Sequence, residues 1–335
     1  MIIFQLFKIL INLLICIDFF TKYGIIILSG TQETFEALSH FLYLGGNVKE
    51  YKTNSELIDY LISKNVIIEN RERAEKLVER YSYYSIVNTY KYVFKDEENN
   101  YKPNVTFEEI FSLYEFDKNI KAIFLKFTLE IEVIIKSLIA NIISEKYGIK
   151  NYLKINNFDE NADEKFIKEL INSINKTIKD NNTKHLAINH YMSNYNFIPP
   201  YVLMKVLSFG TVSRYYGLLK QSDRQKISKY FRLPDNILKQ ILINLTMIRN
   251  ISAHSDRLFS FRSKSYISFK YIDENYMGKN DFTNLYIIFK SMMILLDNDK
   301  YNEFENSFNK EIKKLEKNLK SIEVHDVLKI MGFST

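Results

Sequence analysis

The sequence is short of the two residues that make tight turns. Only 9 glycines and 4 prolines occur among 335 residues, where average usage would give roughly 12% for the pair. Sandwiches and barrels need many turns built from these residues. Phosphate-binding loops also need glycines, and the sequence contains neither G-x-G-x-x-G nor G-x-x-x-x-G-K. The shortage predicts an all-α fold of long helices and excludes Rossmann and P-loop nucleotide sites.

Polar capping residues and apolar residues at helical spacing predict where these helices lie. The longest one is expected from the cap at Thr106 to about Tyr147, ended by Gly148. Alternating polar and aromatic residues predict a short β-hairpin near 260–280. The other helices are expected after Thr53, over 70–92, over one or two segments within 156–196, over 201–219 with an interruption at Gly210, after Pro234, near 281–296 and near 301–321.

The first 50 residues form an apolar extension ahead of a predicted domain over 51–335. Residues 2–28 are strongly apolar but are interrupted by Lys8, Asn12, Asp18 and Lys22. Charges at the centre of a spanning helix are costly, and no basic residue precedes Lys8 as a signal peptide would require. We favour a buried or dimer-interface helix, or a start codon assigned too early. A membrane anchor and a cleaved signal are the alternatives.

Charge and cysteine content narrow the classes of partner and compartment. The net charge of +6 favours an anionic partner, but only mildly, because 40 acidic residues are mixed with the basic ones. Cys16 is the single cysteine, so one chain has neither a disulfide framework nor a cysteine zinc site. A reducing, cytoplasmic location is therefore expected.

The usual metal and nucleophile motifs are missing. His185 and His190 are five residues apart, so a helix would separate them by about 140°, and we interpret them as solvent-facing or capping residues. Glu130 and Glu132 face different sides of the long helix and are interpreted as a solvated, salt-bridging face. No H-E-x-x-H and no G-x-S-x-G occurs. We therefore expect no metal and no cofactor.

One cluster combines residues that suit phosphate chemistry. Arg249, Asn250, His254 and Arg257 lie within nine positions at the end of an apolar helix. Cations are also favoured at helix C-termini by the macrodipole alone, which is the structural alternative. An arginine fork binds phosphate in a bidentate manner, and histidine exchanges protons near neutral pH. Asn250 and His254 would share a face if the helix continued through both.

Such a cluster could cleave RNA without a metal. The 2′-hydroxyl of the RNA would attack the adjacent phosphorus, His254 would move protons, and Arg249 would stabilise charge on the phosphoryl oxygens. The reaction needs a base and an acid, and each chain supplies one histidine here. A homodimer with a composite active site would supply both, which predicts that two copies face each other.

The sequence resembles the Abi-like (AbiD/AbiF type) abortive-infection proteins of the HEPN superfamily. The Arg249-Asn250-x-x-x-His254 element is similar to the R-x4–6-H motif of that superfamily. The order and spacing of the remaining matches make the resemblance specific. These matches are Leu113-Tyr114-Glu115-Phe116-Asp117, Ile131-Glu132 with Lys136, Pro199-Pro200, Ser208-Phe209-Gly210-Thr211, Ala253-His254-x-x-Arg257-Leu258 and Met331-Gly332-Phe333.

The resemblance implies a HEPN-like helical bundle with additional helices. It also implies a metal-independent endoribonuclease that acts as a toxin in bacterial anti-phage defence, with RNA as substrate and a small RNA antitoxin as a further partner. The catalytic pair carries over to Arg249 and His254, with Asn250, Arg257 and Lys121 as supporting or RNA-binding residues. Lys121 and Lys136 stand where the family often has arginine, so they keep the charge without the fork.

Two other classes of function remain open at this point. In the first, the same arginine and histidine bind RNA or a nucleotide without cutting it, as a module of a toxin–antitoxin system. In the second, the protein is tethered to a membrane by its apolar N-terminus and acts as an interaction or structural protein.

Overall fold

The computed structural model of the chain describes residues 51–254, 256–273 and 282–333. The apolar extension over residues 1–50 lies outside the described residues. The regular secondary structure of the described part is helical apart from one two-stranded sheet, which confirms the predicted all-α fold. Its twelve α-helices are α1 (Asn54–Ile62), α2 (Arg71–Tyr81), α3 (Phe107–Tyr147), α4 (Glu164–Asn181), α5 (Leu186–Tyr195), α6 (Pro200–Val206), α7 (Phe209–Leu218), α8 (Gln221–Lys229), α9 (Asp235–Ala253), α10 (Leu285–Leu295), α11 (Asn298–Asn318) and α12 (Val324–Met331).

The 41-residue helix α3 is the axis of the fold. At 1.5 Å per residue it is about 60 Å long, and α6, α8, α9, α10 and α11 all pack against it. Its start is the predicted one: Thr106 and Glu109 form a reciprocal capping box. Its buried face includes Ile120, Phe124 and Ile131. The apolar periodicity therefore predicted this helix and its buried side correctly.

Glu109 also connects the start of α3 to the C-terminal part of the described chain. Its buried carboxylate accepts hydrogen bonds from Thr106 on one side and, 2.6 Å away, from the backbone amides of Lys320 and Ser321 on the other. These amides lie between α11 and α12. The start of α3 is thereby fixed to the loop between α11 and α12.

Two predicted helices are interrupted where a serine offers its hydroxyl to the backbone. The helix expected over 70–92 ends at Tyr81, and a π-helical turn (Tyr84–Asn88) and a 3-10 turn (Lys91–Phe94) follow. At the break Ser82 has φ 66° and accepts a hydrogen bond from the amide of Ser85. The interruption expected at Gly210 lies instead at Leu207, because Ser208 caps α7 through the amide of Thr211.

The predicted hairpin near 260–280 is only partly correct. Strand β1 (Arg262–Ser263) pairs antiparallel with β2 (Thr283–Asn284), so the second strand lies beyond the predicted range. Both strands have only two residues. Two further 3-10 turns, Ile155–Asn157 and Phe269–Tyr271, complete the secondary structure of the described residues.

Candidate functional site

The predicted motif lies at the C-terminal end of α9. Buried Leu245 and Ile248 hold this end of the helix in the core. Arg249 and Asn250 lie within α9, which ends at Ala253. His254 is the C-terminal capping residue, with extended backbone (φ −120°, ψ −174°). The helix stops before His254, so the condition under which Asn250 and His254 would share a helix face is not met.

The reactive side chains of the motif are accessible. Asn250 and His254 are exposed and Arg249 is half-buried. Neither the Arg249 guanidinium nor the His254 imidazole has a hydrogen-bond or ion-pair partner among the residues that the structure describes. Both groups are thus free to meet a ligand from solution. The helix end exposes them while its apolar face stays buried.

The loop that follows His254 is fixed by a buried carboxylate on α3. Asp117 is fully buried, and it accepts hydrogen bonds from the backbone amides of Leu258 at 3.1 Å and Phe259 at 2.7 Å. The Tyr90 hydroxyl donates to the other oxygen at 2.7 Å. A buried carboxylate is stable only when such donors surround it. We call Asp117 with these three donors the carboxylate clamp.

Burial raises the pKa of Asp117, because the charged form loses its hydration. The Tyr90 hydroxyl, the two backbone amides and the positive charge of Lys121 oppose that rise. In every hydrogen bond of the carboxylate clamp, the Asp117 carboxylate is the acceptor. Burial next to the carboxylate in turn raises the pKa of Tyr90, so the phenol remains a donor.

Lys121 lies one helical turn after Asp117 and touches the motif itself. Its ammonium group donates to the carbonyl oxygens of His254 at 3.4 Å and Asp256 at 3.2 Å. The intervening Ser255 lies outside the described residues. Lys121 was predicted as an RNA-contacting residue; the structure brings it to the motif and shows it holding the backbone there. A cation at the carboxyl end of a helix is also favoured by the helix dipole.

Arg257 joins the motif to the short turns that precede α3. Its guanidinium donates to the carbonyl oxygen of Thr89 at 2.8 Å and lies 5.0 Å from the ring centroid of Tyr92. Phe259 stacks with the rings of Tyr90 and Tyr92, with centroids 5.7 and 6.2 Å away. The predicted supporting residue is therefore engaged in positioning the loop.

The other residues singled out in the sequence have structural explanations. Lys136 pairs with Glu132 at 2.6 Å, and both side chains are mostly buried, so the interpretation as a solvated face is wrong for Glu132 although it does form a salt bridge. Glu130 is exposed. His185 caps α5 by accepting the amide of Ile188, and His190 is exposed, which confirms their interpretation as capping and solvent-facing residues.

The described ranges hold neither a cluster of metal-ligating side chains nor a helix suited to cross a membrane. Nowhere in residues 51–254, 256–273 and 282–333 do three or more histidine, cysteine, aspartate or glutamate side chains converge as metal ligands would. In the same ranges, no helix has the length and apolar character that a membrane crossing requires.

Sequence reasoning identified Arg249 and His254 but missed the roles of Asp117 and Tyr90. The signal for Asp117 was available: it is an acidic residue within the apolar stripe of α3, four residues after Leu113 and three before Ile120. A carboxylate in such a position needs buried donors. No local pattern indicates that Phe259 supplies one.

The fold and the site define a helical protein that presents an Arg–His motif on a clamped helix end. Residues 76–260 match the family model described as "Abi-like protein". This match covers more than half of the chain and includes the motif, Lys121 and the carboxylate clamp. The chain therefore belongs to the Abi-like family, which is associated with abortive infection, a defence against phage. No curated protein and no solved structure matches the chain.

Proposed function

We propose that the protein is a metal-independent endoribonuclease of the HEPN type that acts as an abortive-infection effector. The observation that carries the proposal is the state of the motif: Arg249 and His254 are unpaired among the described residues, while the backbone around them is held by Asp117 and Lys121. A rigid backbone with free reactive side chains is what a preorganised site requires.

The proposed reaction is an internal transesterification of RNA. The 2′-hydroxyl attacks the adjacent phosphorus, its proton passes to a histidine, and the P–O5′ bond breaks. A second proton is delivered to the leaving 5′-oxygen. The products are a 2′,3′-cyclic phosphate and a 5′-hydroxyl. Arg249 neutralises the charge that builds on the non-bridging oxygens, for which its planar fork is suited.

The need for two proton transfers is the reason for proposing a homodimer. Each chain contributes one His254, whereas the reaction uses a base and an acid at the same time. We therefore propose a composite site in which the His254 residues of two copies serve one phosphate. In this proposal the effector works in the cytoplasm, where its RNA substrate is, and an RNA antitoxin that occupies the composite site would restrain it.

The test compares wild type with His254→Ala and Arg249→Ala. We expect wild type to arrest growth when expressed in a bacterium and both variants to be harmless. Purified wild type should cut RNA in the presence of EDTA and leave 2′,3′-cyclic ends, which end-labelling distinguishes from 3′-phosphates. Intact RNA with folded wild-type protein would reject the nuclease; RNA binding without cutting would then support a non-catalytic RNA-binding module.

The composite site has a separate readout. Activity per protomer should fall as the enzyme is diluted through the dimer dissociation range measured by analytical ultracentrifugation. Unchanged specific activity in a monomeric preparation would contradict the composite site while leaving the nuclease itself in place.

A further inference from the structure

Five rings meet on a surface made by α5 and the start of α6. We call this group the aromatic platform; its members are His190, Tyr191, Tyr195, Phe197 and Tyr201. Tyr191 is at the centre, with ring centroids 5.6 Å from Tyr195 and 6.4 Å from Tyr201. The hydroxyls of Tyr191 and Tyr201 are 3.2 Å apart, within hydrogen-bond distance.

The rings of the aromatic platform are accessible although they touch one another. Tyr195 is 57% exposed and Tyr201 is 48% exposed. By contrast, Tyr215 and Tyr216 of the neighbouring α7 are fully buried. Contiguous exposed rings of this kind usually mark a binding surface, since packing alone would bury them.

The backbone holds the platform in place without a ligand. Asn196, the residue that caps the end of α5, has the left-handed conformation (φ 55°). It turns the chain so that the ring centroids of Phe197 and Tyr195 lie 6.2 Å apart. Pro199 then caps α6 and Pro200 opens it. Rings fixed in advance lose little conformational entropy when something stacks on them.

The aromatic platform lies near lysine side chains, and the stretch of sequence around it contains no acidic residue. The Lys150 ammonium lies 4.8 Å from the centroid of Phe197. Lys205, which is exposed, follows Tyr201 by one turn of α6. Residues 181–222 contain no Asp or Glu, although the whole chain has 40. Exposed rings together with cations are the combination that binds a flexible polyanion with flat bases.

The platform is connected to the Arg–His motif through α6, α7 and a contact of α7 with α9. The seven residues of α6 span about 10 Å. α7 follows, and a Cβ added at its Gly210 would lie 3.3 Å from Thr246 of α9. Thr246 is one helical turn before Arg249. Tyr201 and the motif are thus linked through α6 and this contact between α7 and α9.

We propose that the aromatic platform binds the unpaired bases of single-stranded RNA. Successive bases stack on Tyr195 and Tyr201, while Lys150 and Lys205 attract the phosphates. The inference rests on the proposed function, because the strand held here is the one presented to Arg249 and His254. It adds a substrate class: RNA with unpaired bases is bound, and a duplex, whose bases are stacked on each other, does not use the platform.

The experiment uses the full chain carrying His254→Ala, so that RNA stays intact. Fluorescence anisotropy measures binding of a labelled oligouridylate in EDTA. Adding Tyr195→Ala or Tyr201→Ala should weaken binding roughly tenfold, the effect typical of losing one stacked base. Tyr195→Phe, which keeps the ring, should bind like the parent. Tyr230→Ala is the matched control, since Tyr230 is an exposed tyrosine beside another aromatic residue, Phe231.

Three outcomes decide the proposal. Weaker binding of the oligouridylate by both alanine variants, with unchanged affinity for a blunt RNA duplex, supports it even if wild type proves not to cleave RNA. Parental affinity in both variants overturns it, even if wild type is a nuclease. A change of oligomeric state in either variant, measured by sedimentation, would assign the platform to a contact between protein chains and also overturn it.

Discussion

Asp117 accepts a 2.7 Å hydrogen bond from the backbone amide of Phe259, a residue 142 positions further along the chain. This contact makes a buried acid on the long helix α3 responsible for the course of the loop that follows His254. Charge-assisted hydrogen bonds of this kind are among the stronger ones in a protein interior. The stability of the fold and the geometry of the motif therefore depend on the same carboxylate.

Asp117→Asn should lower both stability and RNA cleavage. The amide group cannot accept hydrogen bonds on both sides, so buried donors lose their acceptor at a cost of about 2–4 kcal/mol. Thermal unfolding measures this loss, and cleavage assayed well below the melting temperature should fall roughly tenfold. Tyr90→Phe removes a single donor and should cost only about 1 kcal/mol. Wild-type melting and cleavage in Asp117→Asn would refute the role of the clamp.

Arg249→Lys should abolish most cleavage without affecting the fold. Lysine keeps the charge but loses the planar fork, and loss of one such stabilising group typically reduces the rate by about 100- to 1,000-fold. Because Arg249 has no partner among the described residues, the melting temperature should stay within a degree or so of wild type. Full activity in Arg249→Lys would show that charge alone suffices and would contradict the bidentate role.

Lys121→Ala should impair cleavage while leaving stability nearly unchanged. The exposed ammonium holds the carbonyls of His254 and Asp256, so its removal loosens the backbone beside the reactive imidazole. We expect a loss of roughly tenfold in rate and partial recovery in Lys121→Arg. Lys126→Ala is the matched control, because Lys126 is an exposed lysine of the same helix that pairs with Glu303 instead. Equal effects in the two alanine variants would argue against a specific role of Lys121.

Glu109→Gln should remove part of the protein's sensitivity to acid. Burial pushes the pKa of Glu109 up, but the amides of Ser321, Lys320 and Thr106 and the Ser321 hydroxyl outweigh it, so the pKa lies below 4.5. A carboxyl with a lowered pKa stabilises the fold above its unfolded pKa and loses that contribution as the pH falls through the folded value.

The measurement is the melting temperature of wild type and Glu109→Gln from neutral pH down to acid conditions. At neutral pH the variant should be less stable by about 2–3 kcal/mol, because buried donors lose acceptors. The difference should narrow below the unfolded pKa of about 4.5. A gap that stays constant with pH would show that Glu109 does not titrate in this range.

Gly332→Ala should destabilise the protein more than Gly148→Ala. Both glycines end helices at positive φ, 94° and 73°, so each alanine carries backbone strain of about 1–3 kcal/mol. A Cβ at Gly332 would also lie 2.2 Å from the side-chain nitrogen of Asn284, the residue that caps α10, whereas Gly148 faces open space. Chemical denaturation should show the difference, and equal losses would contradict it.

The sequence was most informative where local chemistry decides the structure. The capping box at Thr106 and Glu109, the apolar stripe of α3 and the start of α9 after Pro234 are all short-range patterns. The break at Ser82 was not predictable in this way, because a serine with positive φ competes with helix formation only in its tertiary context. The short helix α12 was not predicted, and of the two strands only β1 lies within the predicted hairpin range, because segments of two to eight residues carry little periodicity.

In the candidate site, too, the features visible in a short stretch of sequence were predicted and the contacts between distant residues were not. Arg249 and His254 were proposed from the sequence because their chemistry is visible in a nine-residue window. The contacts of Lys121 with two backbone carbonyls and of Asp117 with the amides of Leu258 and Phe259 join residues more than 130 positions apart. Side-chain type alone does not specify such pairings. They depend on how α9 packs against α3.

The length of chain between Asp117 and Phe259 also determines when the contact between them can form during synthesis. Translation proceeds from the amino end at roughly 5–20 residues per second, so the carboxylate emerges several seconds before the amide that it binds. A nascent or truncated chain that stops short of Phe259 has the whole of α3 but cannot close the loop around His254. A protein proposed to attack the RNA of its own cell would thus acquire its reactive end only after most of the polypeptide has been made.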